Sequence, residues 1–191
     1  MPDPTRRSLV SGLAATALAA AGLAALPRRA RAKDPAKRRE IEAKANAALE
    51  MLYAQNPAAR RLARNAHGML IFPEITKGGF LIGMAGGYGV LRRRGKTVGY
   101  YETGGVSFGL QAGIQSYGYV LMFMSRTAYD RFLASDGFRL GVDASVAIVQ
   151  GAGGNVDSDS TRSDIVAFVF DNRGLMLDLS IKGSQYRKAN I

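Results

Sequence analysis

The chain has 191 residues, 26 Lys and Arg against 15 Asp and Glu, a net charge of +11 and no Cys. Without Cys there is no disulfide framework, no thiol catalysis, no Cys-ligated zinc and no lipid-modified N-terminal Cys of the bacterial lipoprotein kind. The length suits one domain with a real core, and the basic excess points to an anionic partner.

The first element in chain order is an export signal. Thr5-Arg6-Arg7-Ser8-Leu9-Val10 places the arginine pair Arg6 and Arg7 ahead of an uncharged, Ala- and Leu-rich run from Leu9 to Leu26. Ser11, Gly12, Thr16 and Gly22 keep that run weakly hydrophobic, and Ala30-Arg31-Ala32 supplies a small-x-small site, so cleavage is expected after Ala32. Arg28, Arg29 and Arg31 just before the cut hinder ordinary secretion and favour the twin-arginine pathway, which carries proteins already folded. The alternative is an uncleaved anchor helix, but 18 residues sit at the short end of a bilayer span and Ala-rich sequence inserts poorly. Removal of residues 1–32 leaves 159 residues and, with five arginines and one aspartate gone, a net charge of +7. The expected location is the periplasm, where the polyanions in reach are chiefly membrane head groups, so an anionic phospholipid surface is the expected partner and nucleic acid is not.

Two helices come next. Asp34-Pro35 has the N-cap and first-turn residues of a helix, and Ile41, Ala45, Ala48, Leu49 and Leu52 form one apolar stripe. Lys37, Arg38, Arg39 and Lys44 decorate the rest. Asn56-Pro57 repeats the start signal for a helix to about Ala66 that stops at Gly68, with Arg60, Arg61 and Arg64 making it basic. Residues 33–66 thus read as a basic helical segment and 67–191 as a β-rich core, the two forming one domain.

From Met69 onward the residues alternate, break at glycines and favour Val, Ile, Tyr and Phe, as strands do. Strands are predicted over Met69–Phe72, Phe80–Arg92, Thr97–Glu102, Val106–Gln115, Tyr117–Met124, Leu140–Val149, Ile165–Phe170 and Leu175–Ile181. One short helix interrupts them near residues 126–135, capped by Ser125, with an apolar face of Ala128, Tyr129, Phe132 and Leu133 and an end at Asp136-Gly137. Arg93-Arg94-Gly95-Lys96 is the expected hairpin tip, and Asn172-Arg173-Gly174 marks another turn.

Several constellations invite a chemical reading. Gly105-Val106-Ser107-Phe108-Gly109 matches the G-x-S-x-G nucleophile elbow, but the residues after Ser107 read as more strand and the lone His67 precedes it. Gly86-Gly87-Tyr88-Gly89 and Gly151-Ala152-Gly153-Gly154 lack the strand-then-helix order of a phosphate cradle. Asp157, Asp159, Thr161 and Asp164 lack the glycine and terminal glutamate of a calcium-binding loop and read as a solvated acidic loop. No metal or cofactor site is read. The basic cluster Arg92, Arg93, Arg94 and Lys96 is the strongest surface signal, because the nearest acid after it is Glu102. Tyr88, Tyr100 and Tyr101 flank it with rings suited to a membrane interface. An anion-docking tip and a solvated tip over ordinary core tyrosines both fit the sequence.

From about Asn46 to its end the chain resembles the SYLF family of lipid-binding domains. The matching motifs are Ala66-His67-Gly68-Met69-Leu70-Ile71-Phe72-Pro73, the glycine run from Gly83 to Gly89, Ser107-Phe108-Gly109-Leu110-Gln111-Ala112-Gly113-Ile114-Gln115-Ser116, Gly141-Val142-Asp143-Ala144-Ser145-Val146 and Gly174-Leu175-Met176. The resemblance implies a non-enzymatic phospholipid binder, with phosphoinositides as ligands and actin-patch roles in eukaryotic relatives, and an amphipathic basic N-terminal segment that aids membrane contact. That segment corresponds here to Lys37, Arg38, Arg39 and Lys44, and in a bacterial envelope the lipid becomes phosphatidylglycerol or cardiolipin. The expected fold is α+β: N-terminal helices packed on a curved, mostly antiparallel, Gly-rich sheet. The expected contacts are that helix face and the Arg92–Lys96 tip. An envelope protein-interaction or scaffold module is the alternative, and a serine hydrolase using Ser107 is a third reading.

Overall fold

Asp34 caps the first helix as its sequence predicts, its carboxylate accepting the Ala36 and Lys37 N–H groups at 3.0 and 3.1 Å. The computed structural model describes residues 34–109, 115–150, 162–171, 181 and 183–191. The leader expected over residues 1–32, with Arg6, Arg7 and Ala32, lies outside the described residues. So do Gly151–Gly154, Asp157, Asp159, Thr161, the Asn172–Gly174 turn and nearly all of the strand expected over Leu175–Ile181.

Helix α1 spans Pro35–Gln55 and α2 spans Pro57–Asn65, separated by Asn56, whose buried side chain accepts the Ala59 N–H at 3.0 Å. The α1 residues that are buried are Ile41, Ala45, Ala48, Leu49 and Leu52, the stripe predicted from periodicity. Strands β1 (Gly68–Arg93), β2 (Lys96–Gly109) and β3 (Gln115–Phe123) precede helix α3 (Arg126–Ala134). Strands β4 (Phe138–Arg139), β5 (Val146–Gln150), β6 (Ile165–Asp171) and β7 (Gln185–Lys188) come after it. The sheet order is β4-β7-β2-β1-β3-β6-β5, antiparallel throughout except for the parallel pair β5 and β6.

Strand β1 is not straight. At about 3.3 Å per residue an extended strand would hold Glu74 and Gly87 roughly 40 Å apart. Instead a Cβ on Gly87 would collide with the Glu74 carbonyl oxygen, and one on Gly89 would lie 2.6 Å from that of Ile71. The chain therefore doubles back within β1, whose residues 68–77 pair with β3 and 81–93 with β2. The two lanes correspond to the separate strands predicted over Met69–Phe72 and Phe80–Arg92, and they bring the curled half-barrel to eight strands. Glycine is required at 87 and 89 because the neighbouring lane approaches too closely for any side chain.

Alternation assigns the two faces. Leu70, Phe72, Tyr119, Leu121 and Phe123 pack on one side with Ala128, Tyr129 and Phe132 of α3 and Tyr186 of β7. The Phe132 ring lies 4.8 Å from Tyr101 and 5.0 Å from Phe123, so this face is an aromatic cluster. Ile71, Val90, Val120, Met122, Val166 and Phe168 point the other way, onto the α1 stripe and Ala59 of α2. The α+β class with N-terminal helices on a curled, mostly antiparallel sheet is as expected.

Three local expectations are corrected. Leu133, expected on the buried face of α3, is exposed, because the helix meets the sheet through Ala128, Tyr129 and Phe132 alone. The strand expected over Leu140–Val149 is broken: Gly141 takes φ +78°, Leu140 and Ala144 form an isolated bridge, and β5 begins only at Val146. Strand β7, unpredicted, carries one buried apolar side chain, Tyr186, too little for a periodicity argument.

Candidate functional site

The β1–β2 hairpin closes through Arg94 and Gly95 at φ +50° and +75°, with Arg93 paired to Lys96. Two successive left-handed residues make a two-residue turn whose twist matches the strands it joins. The predicted tip is therefore the observed one. Arg93, Arg94 and Lys96 are exposed, and among the described residues no carboxylate lies within ion-pair distance of them. The Arg93 guanidinium lies 5.7 Å from the Tyr129 ring.

Arg92 behaves differently. Its guanidinium lies 2.5 Å from Glu42 Oε2, with side chains only 11% and 27% exposed. Glu42 Oε1 also accepts hydrogen bonds from Thr97 Oγ1 at 2.6 Å and Tyr100 OH at 3.2 Å. Burial alone would raise the Glu42 carboxyl, but these hydrogen bonds and the Arg92 charge outweigh it and hold its pKa below the ordinary 4.5. The sequence offers these four cations no acid nearby in the chain; α1 delivers the remote Glu42 to Arg92, and the other three keep no ion pair among the described residues.

The helix cations are dispersed in the same way. Lys37 Nζ sits 3.6 Å above the Tyr88 ring, and Arg38 lies 5.1 Å over Tyr100 while its Nε donates to the Ile191 main-chain oxygen at 2.6 Å. Lys44 Nζ reaches Glu40 at 2.9 Å and Glu74 at 3.0 Å, and hydrogen bonding to these carboxylates raises its pKa. Of the four predicted residues on α1, Arg39 alone is exposed without an ion pair or ring contact among those described. The helix does not present a continuous cationic face. Arg61 and Arg64 of α2 are exposed as well. Their charge is visible in the sequence, but nothing there separates free arginines from engaged ones.

Beneath α1 lies a cleft of about 700 Å³ floored by Gly86, Gly87 and Gly104. Lys37, Lys44 and Arg187 line it together with Glu40, Glu74 and Glu102, so its charges balance and it does not select an anion. A cavity of about 330 Å³ adjoins it through Lys44, Pro73 and Glu74. Both arise from chain crossings that no local motif announces.

The remaining candidates take structural positions. Ser107 lies within β2, paired with Gly83, rather than at a strand-to-helix elbow. His67 is exposed and its main-chain N–H donates to the Phe123 carbonyl at 2.8 Å. Asp164 accepts the Ser145 hydroxyl at 2.9 Å, and hydrogen bonds from Ser125 and Ser145 lower its pKa. Burial pushes Tyr101 up to about 12 and raises Tyr119 and Tyr186, so these phenols stay neutral at physiological pH. Among the described residues no group of acids and histidine is placed to hold a metal, and no helix is long and apolar enough to cross a membrane.

Residues 104–190, from the middle of β2 to the end of the sheet, match the family described as "Ysc84: Las17-binding protein actin regulator". Over this stretch the chain is similar to that family, which is consistent with a SYLF-domain protein. The match includes the motifs Ser107–Ser116, Gly141–Val146 and Gly174–Met176, whereas Ala66–Pro73 and the Gly83–Gly89 run lie upstream of it. Helices α1 and α2, strand β1 and the basic hairpin tip are also upstream. No curated protein matches the chain.

Proposed function

We propose that the chain is a non-enzymatic periplasmic module that binds anionic phospholipid reversibly through its hairpin tip. The family is one of lipid and actin binding, which supports a lipid-binding or interaction module. The observation that carries the finer reading is the set of three exposed cations, Arg93, Arg94 and Lys96, without an ion pair among the described residues, around a turn that Arg92 and Glu42 hold against α1. Near an anionic bilayer each free cation contributes about 1 kcal/mol, so the tip alone supports weak, salt-sensitive attachment. The twin-arginine leader supports the location, and the mid-strand position of Ser107 supports the absence of hydrolase chemistry.

Co-sedimentation with liposomes tests the lipid reading. Vesicles rich in phosphatidylglycerol or cardiolipin are expected to pull down the chain at low salt and to lose it as salt approaches about 1 M, where screening acts over roughly 3 Å. Equal recovery on neutral vesicles overturns it, and an acidic protein partner then becomes the better reading of the same cations. Cell fractionation of a variant carrying Arg6→Lys and Arg7→Lys tests the location. Mature protein still reaching the periplasm would sink the twin-arginine assignment.

A further inference from the structure

The hairpin register breaks once, beside its tip. Leu91 pairs with Gly99 and Arg92 with Thr97, which leaves Val98 as an extra residue on β2 with no partner on β1. This β-bulge lets Thr97 and Arg92 meet Glu42 together, and it puts Val98 out of the ladder at 52% exposure. A lone exposed valine needs no explanation, since scattered apolar residues are normal on protein surfaces. This one is raised by a bulge within a few residues of three cations that make no ion pair among the described residues, on a tip braced against α1.

We propose that Val98 is an apolar wedge that enters the head-group–acyl boundary of an anionic bilayer when Arg93, Arg94 and Lys96 engage lipid phosphates. The inference rests on the phospholipid reading above and goes further, assigning a residue, a direction of approach and a depth. Charge complementarity selects the occupant: phosphates of a bilayer meet the cations while its hydrocarbon edge receives the nearby valine. Val142, exposed at 63% in the turn after β4, an edge strand that β7 separates from β2 in the sheet, serves as the comparison site.

The chain contains no Trp, so Val98→Trp introduces a single emitter at the bulge. With phosphatidylglycerol vesicles its emission is expected to shift to the blue and to be quenched by lipids brominated near the head of the acyl chain, whereas Val142→Trp is expected to do neither. Val98→Asp is expected to lower the partition coefficient of the full chain about fivefold or more, with circular dichroism unchanged. Vesicle binding by Val98→Trp with unshifted, unquenched emission would overturn the wedge and leave the phospholipid reading standing. So would Val98→Asp binding as tightly as the unaltered chain. Failure of the unaltered chain to bind anionic vesicles at all would overturn both.

Discussion

Glu42 and Arg92, fifty residues apart in the chain, meet at 2.5 Å between helix α1 and the end of β1. Among the described residues the buried Arg92 Nε has no hydrogen-bond partner of its own, so the guanidinium depends on this carboxylate for compensation. Glu42→Ala is expected to destabilise the fold by about 2–4 kcal/mol, because it strands a largely buried cation. Arg92→Met, which removes the charge and keeps the stem, is expected to cost less. Urea unfolding of the two variants checks the order, and equal losses would show that packing rather than charge dominates.

The same pair sets an acid limit. A carboxyl whose pKa is depressed in the fold contributes stability that is present above its unfolded value, here about the ordinary 4.5, and is lost as pH falls through the folded value. Asp164, lowered from 3.8 by hydrogen bonds from Ser125 and Ser145, acts in the same direction. Unfolding free energy is expected to fall below about pH 4.5, with a shallower decline in Glu42→Gln. An unchanged pH profile in that variant would mean that Glu42 is not the group responsible.

Arg94 holds a left-handed conformation that disfavours a long side chain, whereas Asn accepts it readily. Arg94→Asn is expected to stabilise the protein by up to about 1 kcal/mol while weakening attachment to anionic vesicles, since one of three tip cations is lost. Thermal melts read the first effect and co-sedimentation the second. A gain in both stability and binding would contradict the role given to the tip.

Two glycines of the sheet should respond differently to the same substitution. Gly87→Ala drives a methyl into the Glu74 carbonyl and the Ile75 side chain, and a loss of more than about 2 kcal/mol is expected because backbone must move. At Gly104 the nearest atom to a new Cβ is 4.0 Å away, so Gly104→Ala should stay within about 0.5 kcal/mol. Similar losses at both sites would argue that strand conformation, rather than close approach of the two β1 lanes, selects glycine.

Asn56 ends α1 and caps α2 while itself only 4% exposed. Asn56→Ala is expected to cost about 1–2 kcal/mol. Asn56→Asp, which keeps the capping oxygen, should recover part of that loss in the same denaturant series.

Much of the fold is readable residue by residue. The α1 stripe, the caps at Asp34, Asn56 and Ser125 and the Arg94-Gly95 turn are local patterns, governed by the period of a helix, by orphan N–H groups and by the φ that a two-residue turn demands. The doubling of β1 is half visible, since two strands are expected there, but their closeness rests on contacts such as Gly87 with Glu74 that no local pattern encodes. Strand β7 escapes because Tyr186 alone of its residues is buried.

Net charge and its placement along the chain are properties of the sequence, and they suffice to point to anions and to the hairpin tip. Which cations remain free is decided only by tertiary structure, because an ion pair depends on distance in space. Glu42 is remote from Arg92 in the chain yet removes it from the free set, as Glu40 and Glu74 remove Lys44. Of two basic surfaces of four residues each, the compact group left without an ion pair is the three-cation tip beside an out-of-register valine, because packing α1 on the sheet pairs Arg92 and Lys44 with carboxylates and sets Lys37 and Arg38 against tyrosine rings.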